Sequence, residues 1–234
     1  MKRLILFLFF FGSTLSFTNI LAQADVNQMD AQGKRHGVWK KYFPNTKQLR
    51  YEGQFDHGKE TGTFKFYCEE CRTQPMAVKE FDATTGIAHV KYFTKKGKLV
   101  SEGKMTGKKH MGEWVYYFEK SKEVMTRELY QDGKLNGKKV TYYPNGKIAE
   151  EANYSQGFAE GEAMYYAPTG VLLKKLNFRE NKLVGPAAYY DSKGDPKMIG
   201  QYKNDKKDGI WKYYKNGKFE KEETFPKPLK RIKQ

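Results

Sequence analysis

Aromatic and polar residues alternate along this chain with a period of two. In Gly112-Glu-Trp-Val-Tyr-Tyr117, Trp114 and Tyr116 fall on one parity, and Glu113, Val115 and Tyr117 on the other. That is the spacing of a β-strand with two unlike faces. Phe64 and Phe66 stand against Thr63, Lys65 and Tyr67 in the same way, and Trp211 and Tyr213 against Ile210, Lys212 and Tyr214. Each aromatic run stops at turn residues. Asn216-Gly217 and Asn145-Gly146 both predict type I′ hairpin turns, which require positive φ at both central residues. Pro168-Thr169-Gly170 and Lys193-Gly194 occupy the same place in their units. A second strand follows, then a looser polar turn, such as Asn204 to Gly209, into the next hairpin. Glycine punctuation arriving about every dozen residues leaves no room for helices of ordinary length.

The pattern is periodic. A pair of adjacent aromatics recurs eight times, its first members spaced 24, 26, 24, 26, 23, 24 and 24 residues apart. The pairs are Tyr42-Phe43, Phe66-Tyr67, Tyr92-Phe93, Tyr116-Tyr117, Tyr142-Tyr143, Tyr165-Tyr166, Tyr189-Tyr190 and Tyr213-Tyr214. A glycine precedes each: Gly37, Gly62, Gly86, Gly112, Gly137, Gly161, Gly185 and Gly209. One hairpin cannot bury its apolar face alone, whereas stacked hairpins share a continuous one. The expected fold is therefore all-β, an elongated open antiparallel sheet of about eight consecutive hairpins. The first aromatic of each pair is assigned to the core stripe. The second members, Phe43, Tyr67, Phe93, Tyr117, Tyr143, Tyr166, Tyr190 and Tyr214, are assigned to an exposed row on the other face, the candidate binding face. The units at Gly37, Gly86 and Gly137 hold an extra residue before the pair, which predicts β-bulges there.

The Gly-x-Trp-x-x-Tyr core, as in Gly112 to Tyr117 and Gly209 to Tyr214, the Asn-Gly-Lys turn and the Glu-rich strand Asn216 to Glu223 together resemble the MORN repeat family. The resemblance is to the divergent form carried by bacterial YwqK-family antitoxins, and it spans roughly residues 32 to 225. It implies consecutive hairpins in an open sheet, and a role as scaffold, lipid-associated module or partner-binding surface. The units at Gly86, Gly161 and Gly185 depart from it, with Ala88, Ala163 and Ala187 near the tryptophan's place.

The N-terminus changes the picture of where the chain works. Met1-Lys2-Arg3, the apolar run Leu4 to Phe11 and the small-x-small site Ala22-Gln23-Ala24 read as a secretory signal peptide. The run is shorter than the roughly 20 residues a spanning helix needs. The chain thus divides into a signal peptide (1–24), a short leader (25–31), the repeat array (32–225) and a basic tail (226–234), with the mature protein exported to the periplasm or beyond the cell. Net charge is +16, yet only seven of the 43 basic residues are Arg. Nucleic-acid recognition leans on the Arg fork, so no nucleic-acid partner is expected. An anionic membrane surface or cell-envelope polymer remains open, as does self-association through the sheet edges.

Chemistry is sparse. Cys68 and Cys71 are the only cysteines; export favours a small local disulfide over a redox or zinc pair. His36, His57, His89 and His110 are counted as one repeat or more apart, which separates them by about 10 Å or more in stacked hairpins and argues against a His-based metal site. Glu52, Glu102, Glu128, Glu151 and Glu222 recur on second strands, where cross-strand pairing with Lys is their expected role. No cofactor, metal or catalytic residue is predicted. The reading is an exported, non-catalytic scaffold that binds a protein or polymer along its aromatic face. The alternatives are an electrostatic adhesion module for anionic lipid or envelope polymer, and an antitoxin or immunity-type protein.

Overall fold

The computed structural model describes residues 25–227. The signal peptide and most of the basic tail lie outside the described residues. What is described is one open antiparallel sheet of 18 strands, without a helix, each strand paired to its neighbours in chain order. A two-residue strand, β1 (Gln28–Met29), lies against β2 (Arg35–Tyr42), which forms the first hairpin with β3 (Leu49–Asp56). There follow β4 (Lys59–Phe66) with β5 (Ala77–Phe81), β6 (Ala88–Phe93) with β7 (Leu99–Thr106), and β8 (Lys109–Tyr117) with β9 (Val124–Gln131). The meander continues through β10 (Lys134–Tyr142), β11 (Ile148–Ser155), β12 (Phe158–Tyr166) and β13 (Leu172–Arg179). It ends with β14 (Lys182–Leu183), β15 (Gly185–Tyr190), β16 (Pro196–Lys203), β17 (Lys206–Lys215) and β18 (Lys218–Phe225). Both β14 and β15 pair with β13, so they are one strand interrupted. The eight aromatic pairs thus correspond to eight two-strand units. Within the leader, β1 pairs with the start of β2.

Every one of the eight unit glycines has positive φ, from +63° at Gly112 to +114° at Gly137, a region L-residues avoid. At six of them the reason is a bulge. Between the pairs Gly103–Trp114 and Lys104–Met111, for example, β8 advances three residues while β7 advances one. The same two-residue excess recurs at Gly62, Gly137, Gly161, Gly185 and Gly209. Gly86 departs from expectation. Strands β5 and β6 pair without a shift, and Gly86 lies in the turn between them, bonded back to Asp82. The extra residue before Tyr42 and Tyr142 has a different effect. Tyr42 pairs with Leu49 and Tyr142 with Ile148, the positions that Tyr117 and Tyr166 hold opposite Val124 and Leu172. In these two units the aromatic pair has slipped one residue along its strand.

The two ends of the hairpins are the reverse of the sequence reading. The turns read as loose carry two consecutive positive φ values at His57-Gly58, Asp132-Gly133, Gln156-Gly157, Glu180-Asn181 and Asn204-Asp205, the signature of type I′. At the other end, Asn145 lacks positive φ and only Gly146 has it. There Tyr143 N–H bonds to Lys147 and Gly146 N–H to Tyr143. That is a three-residue loop, a type I turn with Pro144 leading and a left-handed glycine closing. Ala167 to Val171, Asp191 to Asp195 and Thr94 to Lys98 repeat it. Asn216-Gly217, with φ of +51° and +74°, is a type I′ turn as expected.

Candidate binding faces

One face of the sheet carries the core. Trp114 and Trp211 are buried to 1% and 0% exposure although no second layer covers them among the described residues. Each lies flat over a glycine on the preceding strand. A Cβ on Gly103 would sit 2.5 Å from the Trp114 ring, and one on Gly200 2.3 Å from that of Trp211; Phe64 covers Gly53 likewise. The glycine lets the ring descend onto the sheet, and the ring shields backbone the glycine leaves bare. The bulge completes the seat. Indole Nε1–H of Trp114 donates to the Lys104 carbonyl at 2.9 Å, and that of Trp211 to Gln201 at 3.0 Å. Trp39, with no earlier repeat beneath it among the described residues, donates to Gln28 of β1 instead, at 3.1 Å.

Four residues before each tryptophan, a basic or imidazole side chain lies against the ring. The Arg35 guanidinium is 5.5 Å from Trp39 and 4.3 Å from Phe55. His110 stacks on Trp114 with centroids 3.7 Å apart and meets the Tyr130 edge at 4.9 Å. The Lys207 ammonium is 4.3 Å from Trp211 and 5.2 Å from Phe225, and donates to the Tyr213 hydroxyl at 2.9 Å. These contacts combine cation–π attraction with cover for an apolar ring. Alternation along the strand puts positions four apart on one face, a signal present in the sequence but not extracted from it. The first aromatics join this face. Tyr92 and Tyr116 pack on the cluster of Ala88, Val90, Met105 and Trp114, and Tyr165, Tyr189 and Tyr213 on that of Leu176, Ala187 and Trp211. Burial pushes the phenols of Tyr116 and Tyr189 upward.

The opposite face holds the second aromatics, and they are half-buried rather than fully exposed. The Tyr67 hydroxyl donates to Glu52 at 2.8 Å, Tyr117 to Glu102 at 2.5 Å and Tyr166 to Glu151 at 3.2 Å. Burial, then the neighbouring carboxylate, pushes the phenols of Tyr67 and Tyr117 up to about 12. The same carboxylates meet cross-strand basic side chains: Lys65 beside Glu52, His89 beside Glu102 and Lys138 beside Glu151. Phe43 and Tyr143 do not share this register, because their pairs have slipped. Each lies one residue past its strand end, and Tyr143 donates to the Tyr166 carbonyl at 2.7 Å. Tyr42 is in turn 48% exposed rather than core. Open depressions flank the rings: one of about 350 Å³ between Phe93 and Tyr117, and one of about 460 Å³ beside Tyr67. Tyr190 and Tyr214 continue the row, Tyr214 edge-on to Phe219.

Cys68 and Cys71 are joined as a disulfide at the β4–β5 tip. The histidines correct the sequence reading. Their spacing was counted in whole repeats, but antiparallel pairing sets the start of β2 beside the β3–β4 turn. His36 and His57 therefore lie with ring centroids 4.9 Å apart.

Comparison with known proteins comes down on the repeat. Residues 135–156 match the MORN repeat variant. That segment spans the β10–β11 hairpin with its Asn-Gly-Lys loop, and the match supports a MORN-type repeat protein. No curated protein matches the sequence. Among solved structures, a crystal structure of a point mutant of S. aureus TarM in complex with fondaparinux, alpha-GlcNAc-glycerol and UDP is 18% identical, covering 47% of this chain and 21% of that one. Its TM-score is 0.31, too loose an overlap to bear on fold or function.

Proposed function

We propose that this protein is an exported, non-catalytic repeat scaffold that binds an extended protein or polymer along the second-aromatic face. The observation that carries the reading is the ring-to-ring depression between Phe93 and Tyr117. It is one step of a row whose tyrosine rings are held by Glu52, Glu102 and Glu151. Rings fixed before binding lose little freedom on contact, and they offer flat apolar area to a sugar ring or a partner side chain. Tyr67, Phe93, Tyr117, Tyr166, Tyr190 and Tyr214 form this face; Phe43 and Tyr143 are not part of it. The MORN-type match is consistent with a scaffold.

The test is recovery of bound partners from the native compartment, at low and high salt, with wild type and with Tyr117→Ala/Tyr166→Ala. Loss of the partner in the double variant at both salts supports the reading. Binding that survives the variant but vanishes in high salt favours electrostatic adhesion through the lysines. Export is checked on the same sample, where the N-terminus is expected near Asp25. An intact Met1 on cytoplasmic protein, with one tight protein partner, favours the antitoxin-type role.

A further inference from the structure

The first hairpin brings together four side chains that the aromatic faces do not use. His36 is the second residue of β2, Asp56 ends β3 and His57 opens the β3–β4 turn. His36 Nδ1 is 3.6 Å from Asp56 Oδ1, and His57 Nε2 is 3.8 Å from the same oxygen. The three potential donor atoms lie within 4.8 Å of one another. Bonds of about 2.0–2.1 Å in tetrahedral geometry require donors roughly 3.4 Å apart, so small rotations of exposed side chains complete the set.

The fourth residue, Asp30, orients His57. Asp30 Oδ2 is 2.6 Å from His57 Nδ1, and Asp30 Oδ1 accepts the backbone N–H groups of Gln32 and Lys34 at 2.9 and 2.8 Å. Its side chain is only 7% exposed. His57 Nδ1–H donates to Asp30 Oδ2, which turns Nε2 toward Asp56. A carboxylate fixing the tautomer of a ligating histidine is the arrangement of metal sites with an ordered outer shell.

We propose that His36, His57 and Asp56 bind one Zn²⁺ ion, with Asp30 as the positioning residue and water completing the coordination. Two imidazoles and one carboxylate suit a borderline late transition ion and disfavour Ca²⁺ and Mg²⁺, which take all-oxygen shells. The ion ties β2 to the first type I′ turn, and the leader joins them through Asp30 on His57.

The test is titration of tag-free full chain with ZnCl₂ by calorimetry, with CaCl₂ as control. One equivalent of Zn²⁺ is expected to saturate, with no Ca²⁺ binding at the site. His36→Gln and His57→Gln are each expected to weaken binding more than tenfold, and Asp30→Asn about 10–100-fold. His89→Gln and His110→Gln are expected to leave it unchanged. Circular dichroism on each variant confirms that the fold is intact. Absence of a saturable single site, or equal affinity in the wild type and the His36→Gln/His57→Gln pair, overturns the proposal. Wild-type affinity in Asp30→Asn overturns the positioning role.

Discussion

The unit centred on Trp114 and the unit that follows it share one strand plan but not one interior. Glu128 of β9 lies between them, paired across the sheet with Trp114 on one side and Lys139 on the other. On the Trp114 side the face is aromatic: His110, Tyr116 and Tyr130 close over the indole. On the next strand Lys139 and Thr141 stand where Trp114 and Tyr116 stood, because the aromatic pair has slipped by one. The Lys139 ammonium sits 3.8 Å from Glu128, and Glu128 accepts the Tyr130 hydroxyl at 2.7 Å. The apolar face is therefore interrupted by a polar seam, with one cluster around Trp114 and another around Trp211. Repetition of backbone does not guarantee repetition of cohesion, since a stack holds by its nearest-neighbour interfaces.

The largest effect that tests this contrast is loss of an indole. Trp114→Ala and Trp211→Ala are each expected to cost about 3–5 kcal/mol in urea unfolding. Lys139→Ala, at a partly exposed ion pair, is expected to cost less than about 1 kcal/mol. The two tryptophan losses should add, since the clusters share no residue. Similar costs at all three sites would show that the seam is as cohesive as the clusters. Beneath Trp114, Gly103→Ala forces a methyl into the ring and is expected to cost about 1–3 kcal/mol. In a Trp114→Ala background most of that cost should disappear, because the clash partner is gone. An unchanged cost there would place the role of Gly103 in its backbone, not beneath the ring.

The strand order, the eight units and the parity of Trp114 and Tyr116 were legible because alternation and period are local properties of the sequence. What escaped depends on register between strands. Asn145-Gly146 satisfies a type I′ turn as a dipeptide, but Pro144 before it favours the first position of a type I turn, and the three-residue loop prevails. His57-Gly58 gave a weaker turn signal because it is not one of the Asn-Gly, Asp-Gly or Gly-Gly pairs that mark a type I′ turn, yet it forms the tighter turn. The slip of Tyr42-Phe43 and Tyr142-Tyr143 is visible only from their partners Leu49 and Ile148. The proximity of His36 to His57 likewise follows from pairing, since the chain between them folds back on itself as one hairpin. Of the candidate face, the six tyrosine and phenylalanine positions in register were readable. The carboxylates that hold them were recognised only as ion-pair partners.

Tyr116 and Tyr117 separate the two faces on a single strand. Tyr116 packs on the Trp114 cluster and Tyr117 does not. Tyr116→Ala is expected to cost about 2 kcal/mol, less than a fully buried aromatic because the ring is half-covered. Tyr117→Ala is expected to cost about 1 kcal/mol, much of it the bond to the Glu102 carboxylate. Tyr117→Phe should then reproduce most of that smaller loss. If Tyr117→Ala proves the more destabilising of the pair, the second-aromatic face is structural and its availability to a partner is lost.

The smallest effect distinguishes the Trp114 seat from the Trp211 seat by pH. His110 and Lys207 occupy equivalent places over their rings, but only the imidazole titrates near neutrality. Burial against Trp114 lowers the His110 pKa below 6.5, an effect the Glu128 charge opposes but does not cancel. The unfolded chain therefore binds this proton at a higher pH than the folded one. Stability from a neutral, stacked His110 is fully present above the unfolded pKa of 6.5 and declines as pH falls through the lower folded value. Hydrogen exchange followed from about pH 7.5 to about pH 5, the window in which an imidazole changes charge, should show amides of β8 and β9 losing protection on acidification, while those of β17 and β18, covered by Lys207, hold theirs. His110→Phe keeps the ring stack and removes the proton, so it should flatten the β8–β9 profile. A profile that keeps its slope in His110→Phe would show that His110 is not the source of the pH dependence, and the two tryptophan seats would then differ in shape but not through this imidazole.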